Sequence, residues 1–545
     1  RMALLPPQVS LPHLPRPRLK PPHLPPALSR AMPRLIEPLG KIPGFRRIAS
    51  ELAIDHYATA ALPRPRPLTM QGSYTTWRGL TDRTWTGRHL PPREDQSTLP
   101  DPAAVVDLFR RKSFQPSTDT SVMFMFFAQW FTDSFLRTSR ADPRRNTSNH
   151  EIDLCQVYGL SEVQTQLLRA HAGGRLKTQQ IDGVEYPVFL FEPRPPGEPA
   201  APLRVKEEFT GLHDDRFLID VILGGATAEA ADAVFAVGLE HGNATLGQTM
   251  MNVVFFREHN RVAGHLADAY PAWDDDRLFE TARNIMIVLT LKLVVEEYIC
   301  HIAPFDFPVE LVPGIASGAR WNRSNWCAVE FDLLYRWHPL APDEVPGDEA
   351  AGETALGPGQ FINNNPLVLA HGVEALMAQC SRARAGRIGL HNTPWYLTDR
   401  STPDRPSVEE RSVALMRTAQ LASYNDYRCA FSLPKVKSFE ELTKDAATLA
   451  ELRSLYRTVD DVEWYVGIFA EDYPDYCLMG ELMTTMVAHD AFTQALTNPL
   501  LGARVFNDET LSPLGMQIYE STGSLREIVA RNAADPEAVT VRFSC

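Results

Sequence analysis

Apolar residues recur at three- and four-residue spacing along most of the chain, and that period predicts helices. It marks 121–138, 161–172, 246–268, 276–302, 324–338, 365–386, 407–421, 438–455, 460–470 and 478–496. Strict alternation is rare, and "VEYPVFLF" at 184–191 is the best strand candidate. Before residue 121 the helical period fades. Residues 63–120 are rich in Pro, Gly, Arg and Thr and read as an irregular arm packed over a body, while the head, "PPQVSLPHLPRPRLKPPHLPPALSR", holds too much proline for regular helix. The stretch 341–360, "APDEVPGDEAAGETALGPGQ", reads as an acidic surface loop. The expected fold class is mostly α: a Pro-rich basic segment over 1–50, an arm over 51–120 and one large α-helical domain over 121–545.

Composition narrows this picture only modestly. With 545 residues, 44% hydrophobic and 22% charged, the chain is an ordinary globular one long enough to bury a sizeable core. The most apolar span, "NIMIVLTLKLVVEEYIC", is broken by Lys292 and two glutamates, so it reads as a buried helix and not as a membrane span. A net charge of −13 argues against nucleic acid as a partner. The first fifty residues run the other way, with nine Lys or Arg against Glu37 alone. Their charge and leucines, with "IPGFRRIASELAIDHYATAAL" as an interfacial helix, would suit peripheral contact with anionic lipid; a solvated tail is the plainer reading. Seven scattered cysteines without metal-type pairing fit a reducing, cytoplasmic setting and suggest neither a zinc site nor a disulfide scaffold.

Four stretches depart from what a plain helical core needs. In "FDLLYRWHPLAPD", residues 331–343, Tyr335 and His338 stand three apart just before Pro339 and Pro342; on a helix both would address one object on one face. In "SVMFMFFAQWFTDSFLRT", apolar nearly all round, Gln129, Asp133 and Arg137 recur at every fourth position. They line a polar pocket, or Asp133 and Arg137 simply pair on the helix surface. In "LEHGNATLGQTMMNVVFFREHNRVAGHL", His241 precedes a helix carrying Arg257, Glu258, His259 and Arg261, a cluster that usually marks buried ion pairs or a solvated face. The last, "GMQIYESTGSLREIVARN", shows helix caps without obvious chemistry.

Together and in this order, "FFAQWFTDSFLRT", "DLCQVYGL", "FAVGLEHGNATLGQTMMNVVFFREHNRV", "FDLLYRWHPLAPD", "YNDYRCAFSLPKVKSFEELT" and "GMQIYESTGSLREIVARN" resemble the cyclooxygenase branch of the animal haem peroxidase superfamily, in a bacterial-type member. The likeness runs from about residue 73 to 545 and implies haem b as cofactor, with His338 as the iron ligand. Trp337, Thr138, Gln129 and Asp133 would border the haem. Tyr335 corresponds to the family's radical tyrosine, which gives an electron to the peroxide-oxidised haem and then takes hydrogen from a fatty acid so that oxygen can add.

The resemblance also exposes departures. The family's distal histidine falls at Asp133, an intrinsically poor base at neutral pH, while Gln129 is kept. Counting back from "REHN", His241 falls where wider peroxidases carry a distal arginine, so Asp133 and His241 are expected to rebuild an acid–base pair. In the implied substrate channel Tyr298, Ile299, Ile302, Leu334, Trp337 and Met483 keep an apolar lining. Ala491 replaces a serine, Val487 a glycine, Phe305 a tyrosine and Ala303 a serine. The carboxylate-binding arginine has only Arg64 and Arg66 as weak counterparts, and the growth-factor-like module of animal cyclooxygenases is absent. The expected function is dioxygenation of an unsaturated fatty acid to a hydroperoxide, with dioxygen as co-substrate. The alternatives are rearrangement of a fatty acid or lipid hydroperoxide through Asp133, and a non-catalytic haem- or lipid-binding protein. The family resemblance makes a homodimer plausible.

Overall fold

The structure is a computed structural model and describes residues 36–61, 69–303, 307–322, 326–345, 347 and 355–545. It is mostly helical, as expected. Eight helices frame the site: α1 (Arg46–Ala58), α2 (Val122–Thr132), α3 (Leu246–Ala269), α4 (Asp275–Leu293), α5 (Val329–Leu334), α6 (Val408–Thr418), α7 (Trp464–Ala470) and α8 (Glu481–Leu496). Among the described residues, sheet is confined to two short antiparallel pairs. One is the hairpin Thr178–Ile181 with Val184–Pro187, whose turn residues Asp182 and Gly183 both hold positive φ. The other joins Pro116–Ser121 to Arg384–Gly386.

Three of these helices, α2, α3 and α4, begin at a side-chain cap. The Ser121 hydroxyl accepts from Phe124 N to open α2, Thr245 does the same for Gln248 N at α3, and Asp274 for Arg277 N at α4. The apolar body of α2 is almost wholly buried, with Trp130 and Phe127 fully enclosed. α3 crosses α2 at Gly247, where an added Cβ would lie 2.2 Å from the Phe126 ring, so only glycine permits this approach. α4 does not run straight to residue 302: Val294–Tyr298 forms a π-helical turn before Ile299–Ile302 completes the segment. Such a bulge rotates the side chains that follow it, here Tyr298 and Ile299.

Several sequence expectations shift. The helix expected at 365–386 divides at Gly372, whose φ is +79°, and 438–455 divides into Phe439–Leu442 and Ala446–Leu455. The helix expected at 121–138 ends at Thr132, with Asp133 as its C-cap, so Arg137 lies beyond the helix. The helix expected at 324–338 ends at Leu334. Tyr335 therefore caps α5, and His338 opens a separate 3-10 turn, His338–Leu340. The two do not share one helical face. Pro339 explains the break, because its ring would strike the carbonyl of residue 335 in a continuous helix and it has no N–H to give. No described helix is long and apolar enough to cross a membrane.

Candidate functional site

The segment around His338 is organised by a buried carboxylate. The His338 Nδ1–H donates to Glu409 Oε2 at 2.6 Å, and Tyr465 donates its hydroxyl to the other oxygen, Oε1, at 2.9 Å. Glu409 is fully enclosed, and its ring partner leaves Nε2 as the nitrogen able to bind a metal. Glu409 lies in the first turn of α6 and Tyr465 in α7, so two helices hold the imidazole from behind.

A second polar group gathers at the end of α2. Asp133 Oδ2 lies 3.1 Å from His241 Nε2 and accepts from Gln248 Nε2 at 2.6 Å. His241 Nδ1 faces Glu240 at 3.6 Å, and Arg137 donates to both Glu240 oxygens at 3.1 and 3.3 Å. Arg137 thus pairs with Glu240 and not with Asp133. Burial works to lower the His241 pKa, but the carboxylates of Asp133 and Glu240 outweigh it and lift it to about 9. Glu240 is itself held far below the ordinary carboxylate range: burial opposes this, and the hydrogen bond to His241 and the Arg137 charge overcome it. Gln129, exposed on a helix otherwise almost wholly buried, accepts from Thr245 Oγ1 at 3.1 Å. Thr138 donates to Asp332 Oδ2 at 2.8 Å, and Asp332 also holds Arg336 at 2.9 Å, tying the end of this group to the segment before His338.

Tyr335 sits in an aromatic nest. Its ring lies 4.6 Å from that of Trp337, and Tyr298 stacks on Phe124 at 5.0 Å with planes 11° apart. Burial raises the pKa of both Tyr335 and Tyr298 strongly, with a smaller mutual effect of the two phenols, and neither hydroxyl completes a hydrogen bond of ordinary geometry among the described residues. Beyond Tyr298, a small apolar pocket is lined by Tyr57, Ile299, Ile302, Val487, Ala491 and Phe492 among others.

Of the channel residues expected from sequence, Ile299, Ile302, Ala303, Val487 and Ala491 meet in this pocket. Tyr298, Leu334 and Met483 are fully buried and are not among its lining residues. Phe305, Arg64 and Arg66 lie outside the described residues. The charged cluster of α3 is structural: Glu258 pairs with Arg261 and Arg531, Arg257 with Glu374, and His259 bonds Tyr158 and the Gly174 carbonyl. A separate buried group, His89, His489 and Asp490, centres on a His89–Asp490 pair at 2.9 Å.

Sequence reasoning missed Glu409, Tyr465, Gln248 and Glu240. Glu409 carried a signal, because it continues the buried stripe of Val413 and Met416 on α6.

The profile of the family described as animal haem peroxidase matches residues 134–538. Prostaglandin G/H synthase 2 of Bos taurus is 30% identical over 486 residues, covering 86% of this chain and 74% of that protein. Prostaglandin G/H synthase 1 of Rattus norvegicus is 30% identical over 502 residues, covering 88% and 76%. Among solved structures, the fatty acid alpha-dioxygenase of Oryza sativa shares the fold with a TM-score of 0.69 at 16% identity, covering 95% of this chain and 96% of that one. Peroxidase A of Dictyostelium discoideum gives 0.65 at 19%, covering 84% and 94%. With a family match over most of its length and relatives of 30% identity spanning it, this chain belongs to the animal haem peroxidase family as a cyclooxygenase-like member whose cofactor is haem.

Proposed function

We propose that this protein is a haem-dependent oxidoreductase that adds dioxygen to a long-chain unsaturated fatty acid, yielding a hydroperoxide through a radical on Tyr335. The observation that carries this reading is the placing of Tyr335: its phenol lies beside Tyr298, three residues before His338, and the residue after Tyr298 lines an apolar pocket. The name of the structural neighbour, a fatty acid alpha-dioxygenase, is consistent with a fatty acid as substrate.

Haem b fits the donors present. His338 offers Nε2 with its other nitrogen engaged, and Gln129, Asp133 and His241 supply open polar groups at the end of a buried helix. Once bound, haem supplies with a peroxide the one-electron oxidation that Tyr335 answers. Tyr335 gives up its proton and an electron. Its phenoxyl oxygen then takes a hydrogen atom from a substrate carbon next to a double bond, so a C–H bond breaks and an O–H bond forms. Dioxygen adds to the carbon radical, and the peroxyl radical takes the hydrogen back from Tyr335, which restores the phenoxyl. Ile299, Ile302, Val487 and Ala491 hold the chain and exclude water. Asp133 and His241 act as the acid–base pair in place of a distal histidine. At neutral pH His241 carries its second proton, with Nε2 donating to Asp133 Oδ2, so one transferable proton is held between them.

The same reading puts α1 at a lipid surface. Ile42, Phe45, Ile48 and Leu52 are 43–47% exposed next to Lys41, Arg46 and Arg47, while Ala49, Ala53 and Tyr57 turn inward. A second reading, rearrangement of a lipid hydroperoxide, draws on Asp133 being oriented by both His241 and Gln248.

The test is oxygen uptake and product mass for haem-loaded protein with a panel of unsaturated fatty acids, comparing wild type with Y335F. The expected result is oxygen consumption and a gain of one O₂ in wild type, falling to background in Y335F. A product of unchanged mass formed without oxygen, or full turnover by Y335F, would overturn the radical reading.

A further inference from the structure

We propose that Glu409 is a positioning residue that strengthens His338 as the haem ligand and thereby sets the reduction potential of the iron, with Tyr465 opposing it. The inference rests on the reading of His338 as that ligand. It goes further in assigning the strength of the ligand to a residue 71 positions away.

Four observations carry it. The Glu409 carboxylate is 0% exposed, so water does not dilute its charge. Its Oε2 accepts from His338 Nδ1 at 2.6 Å, at the short end for an N–H···O bond and typical of a charged acceptor. Its position in the first turn of α6 places it at the positive end of the helix dipole, which favours the anion. The nearby guanidinium of Arg336 is already held by Asp332 at 2.9 Å, so that side chain does not take the carboxylate from the imidazole.

A carboxylate pulling on the Nδ1 proton pushes electron density to Nε2 and makes the imidazole a stronger donor. A stronger donor favours the higher oxidation state of a bound metal, so the ferric form gains over the ferrous. Tyr465 has the opposite influence. By donating to Oε1 at 2.9 Å it draws negative charge away from the oxygen that serves His338. Glu409 and Tyr465 therefore form a graded control on one imidazole, and neither contacts substrate. A role confined to holding the fold would not distinguish them by sign.

The experiment is spectroelectrochemical titration of haem-loaded wild type, E409Q, E409D and Y465F, with the iron–histidine stretching frequency of the ferrous proteins recorded alongside. The expected result is an upward shift of midpoint potential and a lower stretching frequency in E409Q, partial return in E409D, and a shift of opposite sign in Y465F. The inference is overturned if E409Q leaves both readouts at wild-type values, or if E409Q and Y465F move them in the same direction. If E409Q does not fold, the sign of the Y465F shift decides, and an upward or absent shift overturns the inference. H338A separates the two levels: retention of haem with an unchanged spectrum would refute the ligand reading itself, whereas loss of haem there with flat potentials in the Glu409 series refutes only this inference.

Discussion

His241 shows how two acidic neighbours give a single side chain its chemistry. Its imidazole stands between Asp133 at 3.1 Å and Glu240 at 3.6 Å, and against the penalty of burial they lift its pKa from 6.5 to about 9. A group whose folded pKa is raised contributes stability that is complete below its unfolded value and is lost as pH climbs through the folded value. In the haem-free protein the stability gap between wild type and H241N should therefore be largest below pH 6.5, up to about 3 kcal/mol, and close as pH rises through 9. Urea unfolding at pH 6 and pH 9.5 checks this, and a gap that widened with pH would contradict the ion-pair assignment. On the activity side, H241A should slow reaction with peroxide. An unchanged peroxide rate would remove His241 from the acid–base pair and leave Asp133 with Gln248 alone.

At the scale of elements, the site depends on how closely α2 and α3 approach. Gly247 lets the Phe126 ring lie against the α3 backbone, and this contact brings Gln248 within 2.6 Å of Asp133 and Thr245 within 3.1 Å of Gln129. A Cβ at Gly247 would have to displace a buried ring, and overpacking of that kind costs about 1–3 kcal/mol. G247A should lower the thermal midpoint and also weaken peroxide reactivity, as the two helices part and the Gln248–Asp133 bond lengthens. A variant with normal activity and normal melting would show that the approach has no such consequence. The π-helical turn at Val294–Tyr298 has a similar place on the other side, since it directs Tyr298 toward Tyr335 and Ile299 into the pocket.

For the whole molecule, the arrangement of α1 links the pocket to the surface. Tyr57 lines the pocket from the inner face of α1, while Ile48 and Leu52 are exposed on its outer face. A lipid bound at that surface would stand next to the pocket it must enter. I48D/L52D should abolish co-sedimentation with anionic vesicles while leaving the fold and the oxygen uptake on detergent-dispersed fatty acid unchanged. Undiminished vesicle binding would detach α1 from the lipid surface.

Much of this protein was legible in its sequence because it is written in local periods and short motifs. The three- and four-residue spacing located α3, α6 and α8 closely and fixed where α4 begins, while it was the family resemblance that pointed to Ile299, Ile302, Val487 and Ala491, which meet in one pocket. The pairing of Asp133 with His241 was anticipated through family likeness, since nothing local joins residues 108 positions apart. Tertiary structure decided the rest. Pro339 allowed no helix through Tyr335 and His338, so packing of the chain around them, and not shared helical phase, fixes their relation. Of two adjacent glutamates at the start of α6, Glu410 completes the helix cap with Ser407 while Glu409 turns inward to His338. The choice between them is made by the helix's rotation against the core, because helical period shows which residues share a face but not which buried partner that face will meet.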